Sequence, residues 1–563
     1  MLSRDTILDG LRKGAAPEVL IIGAGINGIG TFRDLALQGV PSLLVDMGDV
    51  CSATSAASSR LIHGGLRYLE IGEFALVRES VEERNRLLLD APHLVRPIRV
   101  RVPIRGLFGG AAASVARFLG LLRSPGPKGA FVVALGLRVY DLFGGRNRTM
   151  PAHRMVPRNE FRRTMARLAP FVRYMGEYYD ARLVAPERLG LELLAQGEAA
   201  CPGAVAATYV AVVGREGDAV ILADTVTGER FRVRPKVVVN CAGARIDEVD
   251  QRIGIEDRLI GGTKGSHLVL RDRAFVAALD DSMLYFETPD HRICLAYPLD
   301  DEHVLLGTTD LRTDDPDDVV CSDAEVEYLF DVMRMVMPDL DLDRSRIVFT
   351  YAGIRPLPAS DGVAGAISRD HSIRTFAPSD DRPFPVLSLV GGKWTTFRAC
   401  AEEIADEVLA LLGQHRRQWT SGVAIGGGAN WPVDIAAHVA ALARRFGLAE
   451  TRAATLFDRY GTAVTAMLEG FAGATEQPLA AVPDHSRQEI AFLARNERVV
   501  HLADIVLRRT LVALYGRATE AAVAELADVV GEALGWSAER RAAEAQATLG
   551  LLASRHACPG KQQ

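Results

Sequence analysis

The stretch that most narrows what this chain can fold into is EVLIIGAGINGIG, residues 18 to 30. An apolar run reads as a buried strand, and Gly23, Gly25 and Gly28 follow it in the spacing G-x-G-x-x-G. The chain continues as a helix through TFRDLALQG, with Gly39 as its C-cap. PSLLVDMGD then reads as a second buried strand ending in Asp46. The three glycines act differently. The first allows a tight turn, the second lets the backbone approach a pyrophosphate, and the third lets helix and strand pack closely. The helix N-terminus offers unpaired N–H groups to an anion. Asp46, about twenty residues on, is placed to accept the two hydroxyls of an adenosine ribose. Nicotinamide and flavin dinucleotides share this fingerprint.

The other bulk properties bound the rest. A chain of 563 residues is too long for one core, so two or three domains are expected. A net charge of -6 argues against a nucleic-acid-binding surface. The 7 cysteines form no CxxC pair, which suggests a reducing compartment, no disulfide framework and no metal cage. The N-terminal residues contain no apolar signal region, and no window reaches the roughly 18 apolar residues of a membrane span. The expectation is a protein on the cytoplasmic side.

Further elements follow by pattern. EFALVRESVEERNRLLLD (73–90) reads as an amphipathic helix with its charges facing solvent. RVRPKVVVNCAG (232–243) reads as a third buried parallel strand running into a glycine turn at Gly243. SGVAIGGGANWPV (421–433) is a glycine-rich linker, and the chain beyond it is rich in Ala, Leu, Arg and Glu, as expected of a helical bundle. From Ala91 to Tyr140 there is no acidic residue, while Arg96, Arg99, Arg101, Arg105, Arg117, Arg123, Lys128 and Arg138 are interleaved with short apolar runs. That pattern, at 94–140, suits a surface that dips into a lipid interface and meets anionic headgroups.

After the second strand comes CSATSAASS, a loop whose Thr54, Ser55, Ser58 and Ser59 suit a ribityl chain and a pyrophosphate. Far downstream, Gly391-Gly392-Lys393-Trp394-Thr395-Thr396 again follows a buried strand and opens a helix. A helix N-terminus aimed at a flavin's pyrimidine end stabilises the negative charge that builds there on reduction, and Lys393 adds a full positive charge. Two such helix starts on one sheet favour FAD over a nicotinamide cofactor.

These residues resemble a known family. GAGINGIG, TSAASSRLIHGGLRYLE, KGSHLVL, GTTD, GIRPL, SRD and GGKWTTFR, in this order and spacing, look like FAD-dependent glycerol-3-phosphate dehydrogenase, within the D-amino-acid-oxidase-like flavoproteins. The resemblance runs from about residue 18 to 412 and extends more weakly through VVHLADIVLRRT. It implies an α/β fold: a Rossmann-like FAD-binding domain, an inserted antiparallel-sheet substrate domain and an all-helical C-terminal domain. On this sequence they are expected at 17–95, 181–260 and 345–412, at 96–180 and 261–344, and at 430–556. The resemblance also implies oxidation of sn-glycerol 3-phosphate at C2 to dihydroxyacetone phosphate, with electrons passed through FAD to a membrane quinone. The family's site residues fall on Arg355 in GIRPL, Lys393 in GGKWTT, Arg67 in HGGLRY and Arg369 in SRD. Trp394 and Phe397 depart from the family pattern, which has Leu and Tyr there, and the stretch 106–145 is longer than in relatives.

The residue chemistry agrees with that resemblance. Hydride removal from a secondary alcohol needs a base for the hydroxyl, and an imidazole, which titrates near 6.5, suits that role. His63 is the first candidate and His267 in KGSHLVL the alternative; Gly64 and Gly65 are read as clearance for substrate and flavin. A phosphate dianion needs fixed cations, for which Arg67 and Arg369 are chosen, while Arg355 steadies the C2 oxygen. Gly65, Gly243, Gly392 and Thr395 complete the expected cofactor contacts. Three other readings share much of this: a glycerol-3-phosphate oxidase using oxygen, a flavin oxidoreductase of another small anionic substrate, and an FAD-stabilised interaction protein. Peripheral attachment to the inner face of the cell membrane and a homodimeric assembly are the remaining expectations.

Overall fold

A computed structural model describes residues 3–107, 129–144, 149–290, 292–359, 370–471 and 473–556. Two large sheets organise it. The first has six strands in the order Ser372–Phe376, Val386–Val390, Val237–Asn240, Val19–Ile22, Ser42–Asp46 and Val205–Thr208. All neighbours are parallel except the first pair, which is antiparallel. Val19–Ile22 sits near the middle and is fully buried, as its VLII sequence requires of a strand covered on both faces. The helix Ile26–Leu37 leaves its C-terminal end and packs between Pro186–Ala200 and Phe397–Leu411. Phe397, one of the two departures from the family pattern, is buried there against Gly30.

Among the described residues the second sheet has ten strands and is antiparallel apart from one parallel pairing, Met283–Glu287 on Val95–Ile104. Its longest pairing joins Ile260–Arg271 to Ile347–Pro358. The segment from 345, expected by sequence in the FAD-binding unit, begins with a strand that pairs in the second sheet. A continuous apolar run such as IVFTYAGI carries no information about which sheet it joins. Leu61–Ile62 likewise pairs with Tyr174–Leu183 in the second sheet.

Beyond residue 430 the chain is helical, from Ile435–Phe446 to Leu552–His556. Leu456, Phe457, Leu493, Val523 and Leu526 belong to the same apolar cluster as Val77, Val81, Ile98 and Val100, so the helices bury their faces against the rest of the molecule.

The helix Phe74–Asp90 forms close to where the sequence places it, but its charges are not all solvated. Glu83 is 1 % exposed and accepts from Arg398 at 2.6 and 2.7 Å. Arg84 is 5 % exposed and donates to Asp180 at 2.8 Å. Their partners lie far away in sequence, which is why helical periodicity alone misreads them.

Candidate active site

The glycine turn forms as its chemistry dictates. Gly23 adopts φ +106, and a Cβ there would stand 2.5 Å from the Cys241 carbonyl oxygen. Asp46 closes the turn: its carboxylate accepts Ala24 N–H at 2.6 Å and Gly48 N–H at 2.8 Å. Burial raises the Asp46 carboxyl above its ordinary range, and those two N–H groups oppose the shift. Ser55 Oγ accepts Ile26 N–H at 3.0 Å and so sits at the N-terminus of the dinucleotide helix.

GGKWTT meets this loop from the far side. The Trp394 indole N–H donates to the Ser55 carbonyl at 2.9 Å, so the residue that departs from the family pattern ties the two cofactor loops together. Gly392 has φ +101 and gives way to the Asn27 side-chain amide.

Between these loops runs a cavity of about 490 Å³. Gly23, Gly25, Asp46, Thr54, Ser55, Gly243, Gly392 and Lys393 all line it. Asn27 lines it too, with a buried Oδ1 that no described group satisfies. A cleft that takes its walls from both helix starts, and carries a buried acceptor of this kind, fits a flavin dinucleotide.

The HGGLRY segment is held from behind. His63 N–H donates to Thr395 Oγ1 at 3.1 Å, and the same hydroxyl lies 3.2 Å from the His63 carbonyl. Gly64 N–H reaches the Tyr140 hydroxyl at 2.9 Å and Asp180 at 3.2 Å, and Tyr140 in turn donates to Asp180 at 2.6 Å. The glycine pair therefore clears space for the protein's own rings: a Cβ on Gly64 would run into Tyr140 and Val81, and one on Gly65 into Tyr68. The Lys393 ammonium lies 4.0 Å from the Tyr68 ring centroid, a cation–π contact that gives Tyr68 its place in the site.

Arg355 is fixed by the loop GTTD. Its guanidinium bonds Asp310 Oδ1 at 3.0 Å, Thr308 Oγ1 at 3.0 Å and the Thr309 carbonyl at 3.3 Å. Thr309 is itself tied to Ser266 N–H at 2.9 Å and Glu325 at 2.7 Å. By sequence GTTD is one motif of the resemblance and carries no assigned role. Its hydroxyl–hydroxyl–carboxylate pattern is the available signal, but only strand pairing brings it to Arg355.

Several of the expected site residues have partners within the protein. His267 is 1 % exposed, stacks on Tyr351 with ring centroids 4.8 Å apart, and bonds Ser59 Oγ through Nε2 at 2.8 Å. Burial, with Arg355 and Arg60 nearby, pushes it down to about 3, so it stays neutral. Ser58 Oγ accepts Arg60 N–H at 3.2 Å, and Thr54 Oγ1 donates to the Ile354 carbonyl at 2.6 Å. The hydroxyls of Thr54, Ser58 and Ser59 thus brace a loop in which Arg60 is left-handed at φ +53, and Thr54 lines the cavity as well. His63, Arg67, His267, Arg355, Thr395, Gly28 and Gly65 are not in the lining of the 490 Å³ cavity. Arg369 lies outside the described residues. Sequence reasoning misses Arg60, a buried cation on the cavity wall paired with Glu187 at 3.3 Å.

A six-stranded, mainly parallel sheet whose dinucleotide cleft borders a second, antiparallel sheet defines a flavin-dependent oxidoreductase. Residues 18–426 match the family described as FAD dependent oxidoreductase, and residues 418–541 match the C-terminal domain of alpha-glycerophosphate oxidase. The chain is 34% identical over 559 residues to a glycerol-3-phosphate dehydrogenase of Synechocystis, covering 94% of this chain and 95% of that one. It is 31% identical to the D-erythritol 1-phosphate dehydrogenase of Brucella abortus, covering 73% of this chain and 77% of the relative. The structure of the glycerol-3-phosphate dehydrogenase from Bacillus halodurans, complexed with FAD, superposes with a TM-score of 0.72 at 21% identity, covering 100% of both chains. The chain belongs to the FAD-dependent oxidoreductases, and within them to the glycerol-3-phosphate dehydrogenase family; its cofactor is FAD.

Proposed function

We propose that this protein oxidises sn-glycerol 3-phosphate at C2 to dihydroxyacetone phosphate and passes the electrons to a membrane quinone. The observation that carries the reading is the Arg355 guanidinium, fixed by Asp310, Thr308 and Thr309 on a strand of the second sheet. FAD, when bound, supplies the hydride acceptor. His63 takes the proton of the C2 hydroxyl, its backbone held on both sides by Thr395. Arg355 steadies the oxygen from which that proton leaves, and Arg67 and Arg369 hold the phosphate. Lys393, braced on Tyr68, adds positive charge to the wall of the cavity, where it would stabilise the reduced flavin.

The helix Ala130–Phe143 supports attachment to a membrane surface. Ala130, Val133, Leu137 and Tyr140 are buried, whereas Phe131, Leu135 and Leu142 are 59%, 52% and 77% exposed, with exposed Arg138 on the same face. Exposed apolar side chains at helical spacing beside a cation suit the headgroup boundary of an anionic leaflet, here the inner face of the cell membrane. No helix among the described residues is long and apolar enough to cross a membrane. The oxidase description carried by the C-terminal match favours a second reading, in which oxygen takes the electrons.

One experiment decides substrate and acceptor. Glycerol 3-phosphate is added to the purified yellow protein without oxygen, in parallel with erythritol 1-phosphate. The flavin absorbance bleaches with glycerol 3-phosphate, and recovers faster with a quinone analogue than with oxygen. An unbleached flavin overturns the substrate, and faster recovery in oxygen overturns the quinone.

A further inference from the structure

The cavity that holds the cofactor takes part of its wall from the C-terminal helices. Leu507, Arg508, Leu514, Arg555 and His556 line it together with Gly23 and Asp46. Two short stretches of wide, π-type helix, Ile505–Arg509 and Leu552–His556, carry most of these residues, a distortion often found where a helix is adapted to a site.

Arg508 is held in an unusually defined pose. Its Nε donates to Asp49, three residues beyond Asp46, and its Nη2 donates to Asp504 Oδ1 at 2.6 Å. Asp504 is itself fixed by the Tyr209 hydroxyl at 2.6 Å and by the N–H groups of Val500 and His501 at 2.8 and 2.9 Å. Arg509 clasps the other oxygen of Asp49 at 2.9 Å. This set of bonds orients the guanidinium plane and leaves Nη1 with no hydrogen bond to any described group, on a side chain that is 11% exposed and faces the cavity. A fork oriented by two carboxylates, with one terminal nitrogen left over, is pre-organised for an anionic oxygen. The last described turn reinforces the same wall: the His556 ring stacks on Phe349 at 4.6 Å and 11°, and its Nδ1 lies 2.9 Å from the Thr350 carbonyl. Arg555 adds a second cation beside it.

We propose that the C-terminal helical unit is part of the cofactor-binding site: Arg508 donates through Nη1 to a phosphate oxygen of the dinucleotide, and Arg555 and His556 cover the cavity, so that FAD is retained by residues outside the oxidoreductase domain. The inference rests on FAD as the cofactor and not on the proposed substrate or acceptor, and its test involves no turnover.

The test titrates the full-length apoprotein with FAD and with riboflavin, which has the ring system but no phosphate, reading quenching of flavin fluorescence. Arg508→Gln should weaken FAD by about tenfold to a hundredfold and leave riboflavin within about twofold, the loss expected of one charge-assisted bond. Equal weakening of both ligands, or of neither, overturns the contact. Should Arg508→Gln not fold, the double variant Arg555→Ala/His556→Ala decides through the rate at which bound FAD is released on dilution. Faster release supports the proposal, and an unchanged rate overturns it.

Discussion

The Arg355 guanidinium rests against Gly265, its diagonal neighbour across the pairing of Ile260–Arg271 with Ile347–Pro358. A methyl group on Gly265 would stand only 2.7 Å from Nη1 and closer still to the rest of the fork. Gly265→Ala therefore displaces the arginine without touching it chemically. Reduction of the flavin by substrate should slow by about a hundredfold, as when one preorganised donor is removed. FAD content should be unchanged; a wild-type rate in this variant would show that Arg355 does not act on the substrate.

The two candidate histidines separate by kinetics and by pH. His63→Asn should slow anaerobic flavin reduction by about two to four orders of magnitude, as expected on loss of a general base. His267→Gln should retain any kinetic transition between pH 5 and 8, because His267 is held at about 3 and does not titrate there. A transition lost in His267→Gln but kept in His63→Asn would reverse the assignment.

Burial of His267 also has a stability signature. The unfolded chain takes up this proton below 6.5, whereas the folded protein does so only near 3. Between those values the unfolded state holds more protons, so stability falls as pH falls, by about 1.4 kcal/mol per unit. The decline in melting temperature from pH 6.5 to 4 should be shallower in His267→Gln than in the wild type. Parallel declines would mean that the folded state protonates this ring after all.

The Thr395 hydroxyl bonds the backbone of His63 on both sides, which on the proposed mechanism makes it a positioning residue. Thr395→Val should lower the rate of flavin reduction by about tenfold to a hundredfold through misplacement of the loop. Thr395→Ser keeps the hydroxyl and should restore it. Failure of serine to rescue would assign the loss to packing.

For the exposed face of Ala130–Phe143, the triple variant Phe131→Gln/Leu135→Gln/Leu142→Gln reads the membrane proposal in flotation with anionic vesicles. Each apolar side chain contributes about 1.5–3 kcal/mol when buried, so vesicle binding should drop by at least about a hundredfold. Equal flotation of variant and wild type would remove this helix from the interface.

What is legible in the sequence is local. The strand–glycine–helix unit, Asp46, the glycine turn before the helix Phe397–Leu411 and the helix at 74–90 all follow from patterns within some twenty residues, where periodicity and turn chemistry act. What stays hidden depends on pairing across the chain. GTTD cradles Arg355, Glu83 bonds Arg398, and Gly64 makes room for Tyr140, each a contact that exists only once distant strands and helices are docked. CSATSAASS is ambiguous for a related reason: a hydroxyl-rich loop looks the same in sequence whether it serves a ligand, its own strained backbone or both.

Ser55 caps the dinucleotide helix through Ile26, yet its carbonyl is held by Trp394, 339 residues later. During synthesis from the N-terminus at 5–20 residues per second, the fingerprint waits roughly 20 to 70 s for the residue that closes its cleft. The cleft between the two loops is therefore closed only once the chain has been made past Trp394, and a chain stopped short of it has a complete glycine motif and an unfinished pocket.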